Sequence, residues 1–135
     1  MTAITLIQCI GCSHLLQPPL TLLLSTERGV GLRAALVPQT RLAAEVMYNM
    51  AIASIAWPTL LGLLIAYYAS DALHPGSART LTGMVSLFWC WRLYRQLLVL
   101  GPLWPNSGRL SFALNPLLAL IFAVQGPGLG LLLLR

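Results

Sequence analysis

The third apolar stretch of the chain contains polar side chains whose types and spacing could bind a ligand. Arg92 and Arg95 are three residues apart, and Gln96 shares their helical face. Arg95 is close enough to the expected cytoplasmic end of the stretch for its long stem to reach lipid headgroups. Arg92 lies deeper, roughly 12 Å from that end by helical rise. Its guanidinium therefore needs an acidic or carbonyl partner, a water-filled cavity or a lipid phosphate.

Polar residues in the other apolar stretches are predicted to reach a similar depth. Antiparallel packing brings Glu45 and Asn49 of the second stretch level with Arg95 and Gln96, which predicts a buried polar pair between helices two and three. Together with residues of the first and fourth stretches, these side chains predict a polar pocket that opens to the cytoplasm. The further members are His14, Gln17 and Asn115.

These polar residues have two interpretations. In the first, they only join the helices through hydrogen bonds, as polar residues in membranes commonly do. In the second, Arg92 and Arg95 form a site for a small anion, a lipid headgroup or a quinone, with His14 nearby. A single histidine without a second ligand makes no metal or haem site, so no metal site is predicted, and the sequence assigns no cofactor.

Cys9 and Cys12 are the residues with intrinsic redox chemistry. Two thiols at this spacing can form a disulfide or bind a soft metal. A quinone-linked disulfide-forming oxidase would need a second cysteine pair, and here only Cys90 remains. On a continuous helix His14 points away from both thiols, so the three cannot bind one metal. A thiol redox or metal-handling role is therefore the weakest of the functional interpretations.

The composition excludes a soluble globular domain. Of the 135 residues, 58% are hydrophobic and only 8% are charged, whereas about a quarter of a soluble domain is charged. The eight basic residues are all arginines and are too scattered to bind nucleic acid. The protein is therefore predicted to lie in a membrane, with lipids as its immediate partners.

The apolar residues form four stretches, at about 3–24, 45–68, 80–100 and 110–134, each near the roughly 20 residues that a membrane-spanning helix needs. The fold class predicted over residues 1–135 is a single all-α domain, an integral membrane bundle of four transmembrane helices. Prolines 18, 19, 58, 116 and 127 predict a break in every helix but the third. The Gly126-Pro127-Gly128 break would place residues 129–134 along the membrane interface.

Residues spread over the first three stretches form a pattern with one specific part, the Phe-Trp-x-x-Arg-Leu-x-x-Gln segment that begins at Phe88. This pattern resembles a group of small uncharacterised bacterial four-helix membrane proteins, over roughly residues 6–100. The resemblance implies a bacterial inner-membrane protein and no known activity; Cys9, Cys12 and Arg95 are not part of it. The matching residues are Gln8, Gly11, His14, Leu15, Arg41, Gly62, Phe88, Trp89, Arg92, Leu93 and Gln96.

Short loops leave no soluble part for catalysis, and no hydrolytic motif is present in the sequence. These features favour a non-catalytic accessory or interaction subunit, packed against other membrane subunits or against itself. The alternative is a carrier or binder of a small anion, a lipid headgroup or a quinone through Arg92.

The distribution of arginine predicts the topology. The first and third loops contain four arginines against two on the opposite side, which places both termini outside. In variants with a single cysteine, we expect a reagent confined to the outside to label position 74 and to miss position 33. The reverse labelling pattern would show that both termini are inside and that the pocket opens to the outer side.

Overall fold

A computed structural model describes residues 2–25, 41–100 and 109–134, and these residues are all-α. They form four helical segments, which confirms the predicted all-α class. Segment one contains α1 (Ala3–Ser13), a 3-10 turn (His14–Leu16) and α2 (Gln17–Ser25), and segment two is α3 (Arg41–Tyr67). Segment three contains α4 (Ser77–Tyr94) and a π-helical turn (Arg95–Leu100). Segment four contains α5 (Arg109–Ala123), a π-helical turn (Val124–Gly128) and α6 (Leu129–Leu133).

The helices continue through the prolines that predicted breaks. Pro18 and Pro19 fall in the first turn of α2, where no backbone N–H is needed and the proline φ suits the helix. The 3-10 turn before them absorbs the change in hydrogen bonding. Pro58 lies inside α3, and segment three, predicted to be regular, instead ends in a π-helical turn.

Segment four also differs from its prediction. The Gly126-Pro127-Gly128 sequence forms a π-helical turn rather than a break, and α6 follows it directly. Leu129, Leu132 and Leu133 of α6 are buried inside the bundle, so this turn of helix packs in the core and does not lie apart from it. The guanidinium of Arg79 at the start of α4 donates to the carbonyl of Leu133 and so caps the end of α6.

Segments one and two pack with their backbones in close approach at Gly11 and Gly62. A Cβ on Gly62 would come 2.6 Å from the carbonyl oxygen of Gly11, and a Cβ on Gly11 would come 2.7 Å from the carbonyl oxygen of Gly62. Any larger residue at either position would therefore push the two helices apart. Small residues permit this kind of approach between membrane helices.

Segments three and four pack in the same manner around Gly126 and Gly130. A Cβ on Gly126 would lie 2.7 Å from the backbone nitrogen of Cys90, and one on Gly130 would lie 2.9 Å from Oγ of Ser86. Ser86 Oγ also donates to the carbonyl of Gly126 at 2.8 Å. The bundle thus consists of two tightly packed pairs, with a narrower contact between segments two and three.

One helix of the described residues is long and apolar enough to cross a membrane, and it runs over Pro116–Leu133. The apolar part of α3, Ile52–Tyr67, is shorter. Large hydrophobic side chains nevertheless cover the outside of all four segments, and among them Tyr67 is 79% exposed and Leu87 is 71% exposed. The inner side chains, such as Ile7, Trp89 and Leu129, form the core.

Because the backbones of segments one and two approach closely at Gly11 and Gly62, adding a single methyl group there should lower the stability of the protein. Gly62→Ala should lower the free energy of unfolding by about 1–3 kcal/mol, because overpacking forces the backbone of segment one away. Thermal unfolding of the purified protein in detergent measures this change. Gly83→Ala is the matched control, since it lies within α4 with nothing within 4 Å of an added Cβ. It should leave stability unchanged or raise it by about 0.5–1 kcal/mol.

A cavity around Arg92

A cavity of about 490 Å³ lies among the four segments. Segment three contributes one face of its helix, with Trp89, Arg92 and Gln96 at positions i, i+3 and i+7. Gln17 from segment one and Phe122 from segment four line the cavity as well. A volume of this size is within the range of ligand-binding pockets.

Arg92 supplies the positive charge of this cavity. Its side chain is half-buried, and the guanidinium carbon lies 5.6 Å from the centre of the Phe122 ring, a cation–π contact. Among the side chains that the structure describes, Arg92 has no carboxylate partner. The face of the Phe122 ring therefore holds the guanidinium beside the cavity.

Only some of the residues predicted to form one polar pocket line the cavity. Gln17, Arg92 and Gln96 line one cavity, and Gln17 and Gln96 are both buried. Arg95 is exposed, lies 5.9 Å from the centre of the Trp91 ring and does not line the cavity. Arg95 thus contacts a ring that lines the cavity, while its own side chain is exposed on the outside of segment three.

Segment two lines the cavity with residues other than the predicted ones. Asn49 is exposed and is not a lining residue, whereas Trp57 and Pro58 of the same helix line the cavity. The side chains of Glu45 and Asn115 lie outside the described residues. The predicted pairing of Glu45 with the arginines therefore remains a prediction.

His14 lies at the junction of three segments and is completely buried. Its Nδ1 donates to the carbonyl oxygens of Ile10, at 3.0 Å, and Gly11, at 3.1 Å. The imidazole packs edge-on against Trp89, with 5.4 Å between the ring centres, and its Cβ is in tight contact with Gly62. His14 Nε2 and Trp89 Nε1 are both buried with no hydrogen-bond partner among the described residues.

A second polar cluster joins segments one and four. Gln17 Nε2 donates to Gln125 Oε1 at 2.6 Å, and Gln125 Nε2 donates to Ser13 Oγ at 3.1 Å. Ser13 Oγ donates in turn to the carbonyl of Ile10 at 2.6 Å. Gln125 is completely buried, so the cluster satisfies its amide inside the bundle.

Sequence reasoning missed Gln125, Ser13 and Ser86. The available signal was that Gln125 is a lone amide within an apolar run, directly before a glycine-rich turn. Gly126 and Gly130 also have the four-residue spacing of a close-packing motif. Both signals point to the same side of segment four, the side that packs on segments one and three.

The thiols of Cys9 and Cys12 lie on the outside of segment one. Cys9 and Cys12 are exposed and are not joined in a disulfide, while His14 is buried, so the three side chains do not converge. Within the described parts of the chain, no three His, Cys, Asp or Glu side chains come together as a metal site. Cys90 is half-buried at the contact with Gly126.

A larger depression, of about 610 Å³, lies at the turn between segments two and three. Its polar residues include Asp71 and His74, and both are exposed. Exposed groups at a turn are solvated, whereas the groups around Arg92 are withdrawn from solvent and so gain more from a bound partner. The cavity at Arg92 is therefore the candidate functional site.

Comparison with known proteins identifies no relative: no family model, no curated protein and no solved structure matches the chain.

The buried amide cluster generates a prediction about stability. Gln125→Leu leaves Gln17 unpaired and should lower the free energy of unfolding by about 1–3 kcal/mol. The double variant Gln17→Leu/Gln125→Leu should lose less than the sum of the two single variants, because no polar partner is then left unpaired. Gln8→Leu, on the exposed side of α1 in segment one, is the control and should not affect the thermal unfolding temperature. Additive losses in the double variant would show that the two amides are not coupled.

Proposed function

We propose that this protein is a bacterial inner-membrane protein of four transmembrane helices, with both termini outside, that binds a small anion, a lipid headgroup or a quinone at Arg92. The observation that carries the binding role is the cavity itself, which brings one arginine and buried amides together among aromatic rings. The membrane location is supported by the apolar Pro116–Leu133 helix and by the hydrophobic side chains outside all segments.

The energetics of a buried cation favour a bound partner. A guanidinium withdrawn from water loses hydration, and the cation–π contact with Phe122 returns only about 0.5–2 kcal/mol. A ligand oxygen would supply charge-assisted hydrogen bonds of about 1.5–3 kcal/mol each. An anion or a carbonyl group is therefore a better complement to Arg92 than the ring alone.

The second candidate is a non-catalytic accessory subunit of a membrane assembly. It is favoured by the exposed aromatic and aliphatic side chains on the outer faces, which would pack against helices of another subunit as readily as against lipid tails. Packing of that kind requires no internal cavity. We therefore favour the binding role over the accessory role, because only the binding role makes use of the cavity beside Arg92.

Replacement of Arg92 distinguishes the two roles. We expect the wild type to co-purify with a small anion, a lipid or a quinone. Arg92→Leu should abolish binding of this species, and Arg92→Lys should weaken it strongly, because the planar fork of arginine is lost. Native mass spectrometry of the protein released from detergent measures the bound species. Arg95→Leu is the matched control: it removes an exposed arginine one turn away and should leave the bound species unchanged.

Thermal unfolding of the same samples reports whether the variants remain folded. Removing a half-buried charge that has no carboxylate partner among the described residues should cost little folded protein. If folded Arg92→Leu and Arg92→Lys carry the same bound species as the wild type, the binding role is contradicted and the accessory role is favoured.

A further inference from the structure

We propose that the cavity at Arg92 holds the headgroup of an anionic membrane lipid, and that one acyl chain of this lipid lies along the junction of segments two and three. This inference rests on the proposed binding role and narrows its ligand to one chemical class. It is carried by a second depression that continues the cavity, by the polarity of the two linings and by the position of Arg92.

The cavity continues into a second depression of about 220 Å³, which lies between segments two and three. Trp57 of segment two and Phe88 of segment three line both depressions, so the two adjoin at these rings. The second depression extends as far as Leu81, which lies about 16 Å from Arg92 by helical rise. We call the cavity and the second depression together the groove.

The groove is open on its outer side. Trp57 is 61% exposed and Met84 is 63% exposed, although both side chains line the groove. Segments two and three also make a narrower contact with each other than the members of the two tightly packed pairs do. An acyl chain can therefore enter the groove sideways from a surrounding bilayer. Its entry is favourable, because an unfilled depression forfeits dispersion contacts along its walls.

The two ends of the groove differ in polarity. Gln17, Thr21 and Gln96 line the cavity together with Arg92. The described residues that line the second depression are all apolar, namely Trp57, Leu61, Leu81, Met84, Val85 and Phe88. A small anion would use only the polar end, whereas a lipid has a polar head and an apolar chain that match both ends.

The depth of the polar end suits a lipid headgroup. Thr21 and Gln96 each lie four residues, or about 6 Å by helical rise, before the last residues of segments one and three. Polar side chains thus line the cavity from near these ends down to Arg92, so that a headgroup can reach the guanidinium without crossing apolar walls. The remaining distance of about 16 Å to Leu81 is similar to the roughly 15 Å that the acyl chains of one leaflet span.

The charge of Arg92 selects the headgroup. Its guanidinium is half-buried beside the cavity and can form charge-assisted hydrogen bonds with a phosphate group. A headgroup with net negative charge complements this cation, whereas the choline of a zwitterionic headgroup would bring a second cation close to it. The apolar end of the groove alone would accept the chain of any lipid, so the preference for an anionic lipid depends on Arg92.

Titration of the full chain in detergent, followed by native mass spectrometry, tests this inference with three lipids. These are palmitoyl-oleoyl phosphatidylglycerol, phosphatidylcholine with the same chains, and dihexanoyl phosphatidylglycerol, which has the same head and short chains. The wild type should bind the long-chain phosphatidylglycerol most tightly. Arg92→Leu should weaken that binding about 10- to 100-fold, to the level of phosphatidylcholine. Arg95→Leu should bind as the wild type does.

A substitution in the second depression tests the position of the acyl chain. Met84→Trp adds a ring to the groove and should weaken binding of the long-chain phosphatidylglycerol about fivefold or more, because the chain and the ring compete for one space. It should leave binding of the dihexanoyl lipid unchanged. Leu87→Trp is the matched control, since Leu87 is an exposed residue of the same segment that lines neither depression. It should bind all three lipids as the wild type does.

Three outcomes would overturn the lipid assignment. They are equal binding of the two long-chain lipids by the wild type, equal binding of long-chain and dihexanoyl phosphatidylglycerol, and a folded Met84→Trp variant that binds like the wild type. Equal binding of the long-chain and dihexanoyl lipids, if it depends on Arg92, would leave the proposed binding role intact. That role fails separately, if Arg92→Leu and Arg92→Lys retain the co-purified species. Thermal unfolding shows which variants are folded, and the comparison of chain lengths on the wild type decides the case if Met84→Trp does not fold.

Discussion

The backbone of segment one meets the backbone of segment two at Gly11 and Gly62, and the placement of the polar residues depends on this contact. His14 lies one helical turn beyond Gly11 and packs directly on Gly62. From there its ring reaches Trp89 of segment three, which lines the cavity. A side chain at either glycine would move His14 and, through it, the indole. The close packing of segments one and two thus also determines the position of Trp89 beside the cavity.

Two arginines three residues apart show how strongly the surroundings decide the role of a side chain. Arg92 faces Phe122 and the cavity, and Arg95 faces Trp91 and the outside. The sequence treats them as a pair because one helical face contains both. Their difference comes from segment four, whose Phe122 lies beside one guanidinium only. Such a distinction requires the tertiary contact and cannot be derived from spacing along one helix.

The sequence was most informative where a long pattern repeats and least informative where a single contact decides. The length of the apolar stretches predicted four helices. The backbone N–H and C=O groups of such long apolar stretches are withdrawn from water and must therefore bond to one another, as they do in a helix. Pro18 and Pro19 were expected to break their helix, yet they occupy a first turn in which proline is tolerated. Gln17, Arg92 and Gln96 were predicted as site residues and line the cavity together. The partnership of Gln17 with Gln125, far away in the chain, had no local sign.

The π-helical turn at Val124–Gly128 determines how α6, which follows it, is rotated about its own axis. Each residue of an α-helix advances the side-chain direction by about 100°, so the wider turn here determines which side of α6 faces inward. Leu129, Leu132 and Leu133 are the residues that it directs into the core. An insertion or deletion of one residue within this turn would rotate these leucines away from the core and carry the carbonyl of Leu133 away from Arg79. An apolar substitution at one of these leucines would leave the other two in place, whereas a change of length in the turn would displace all three at once.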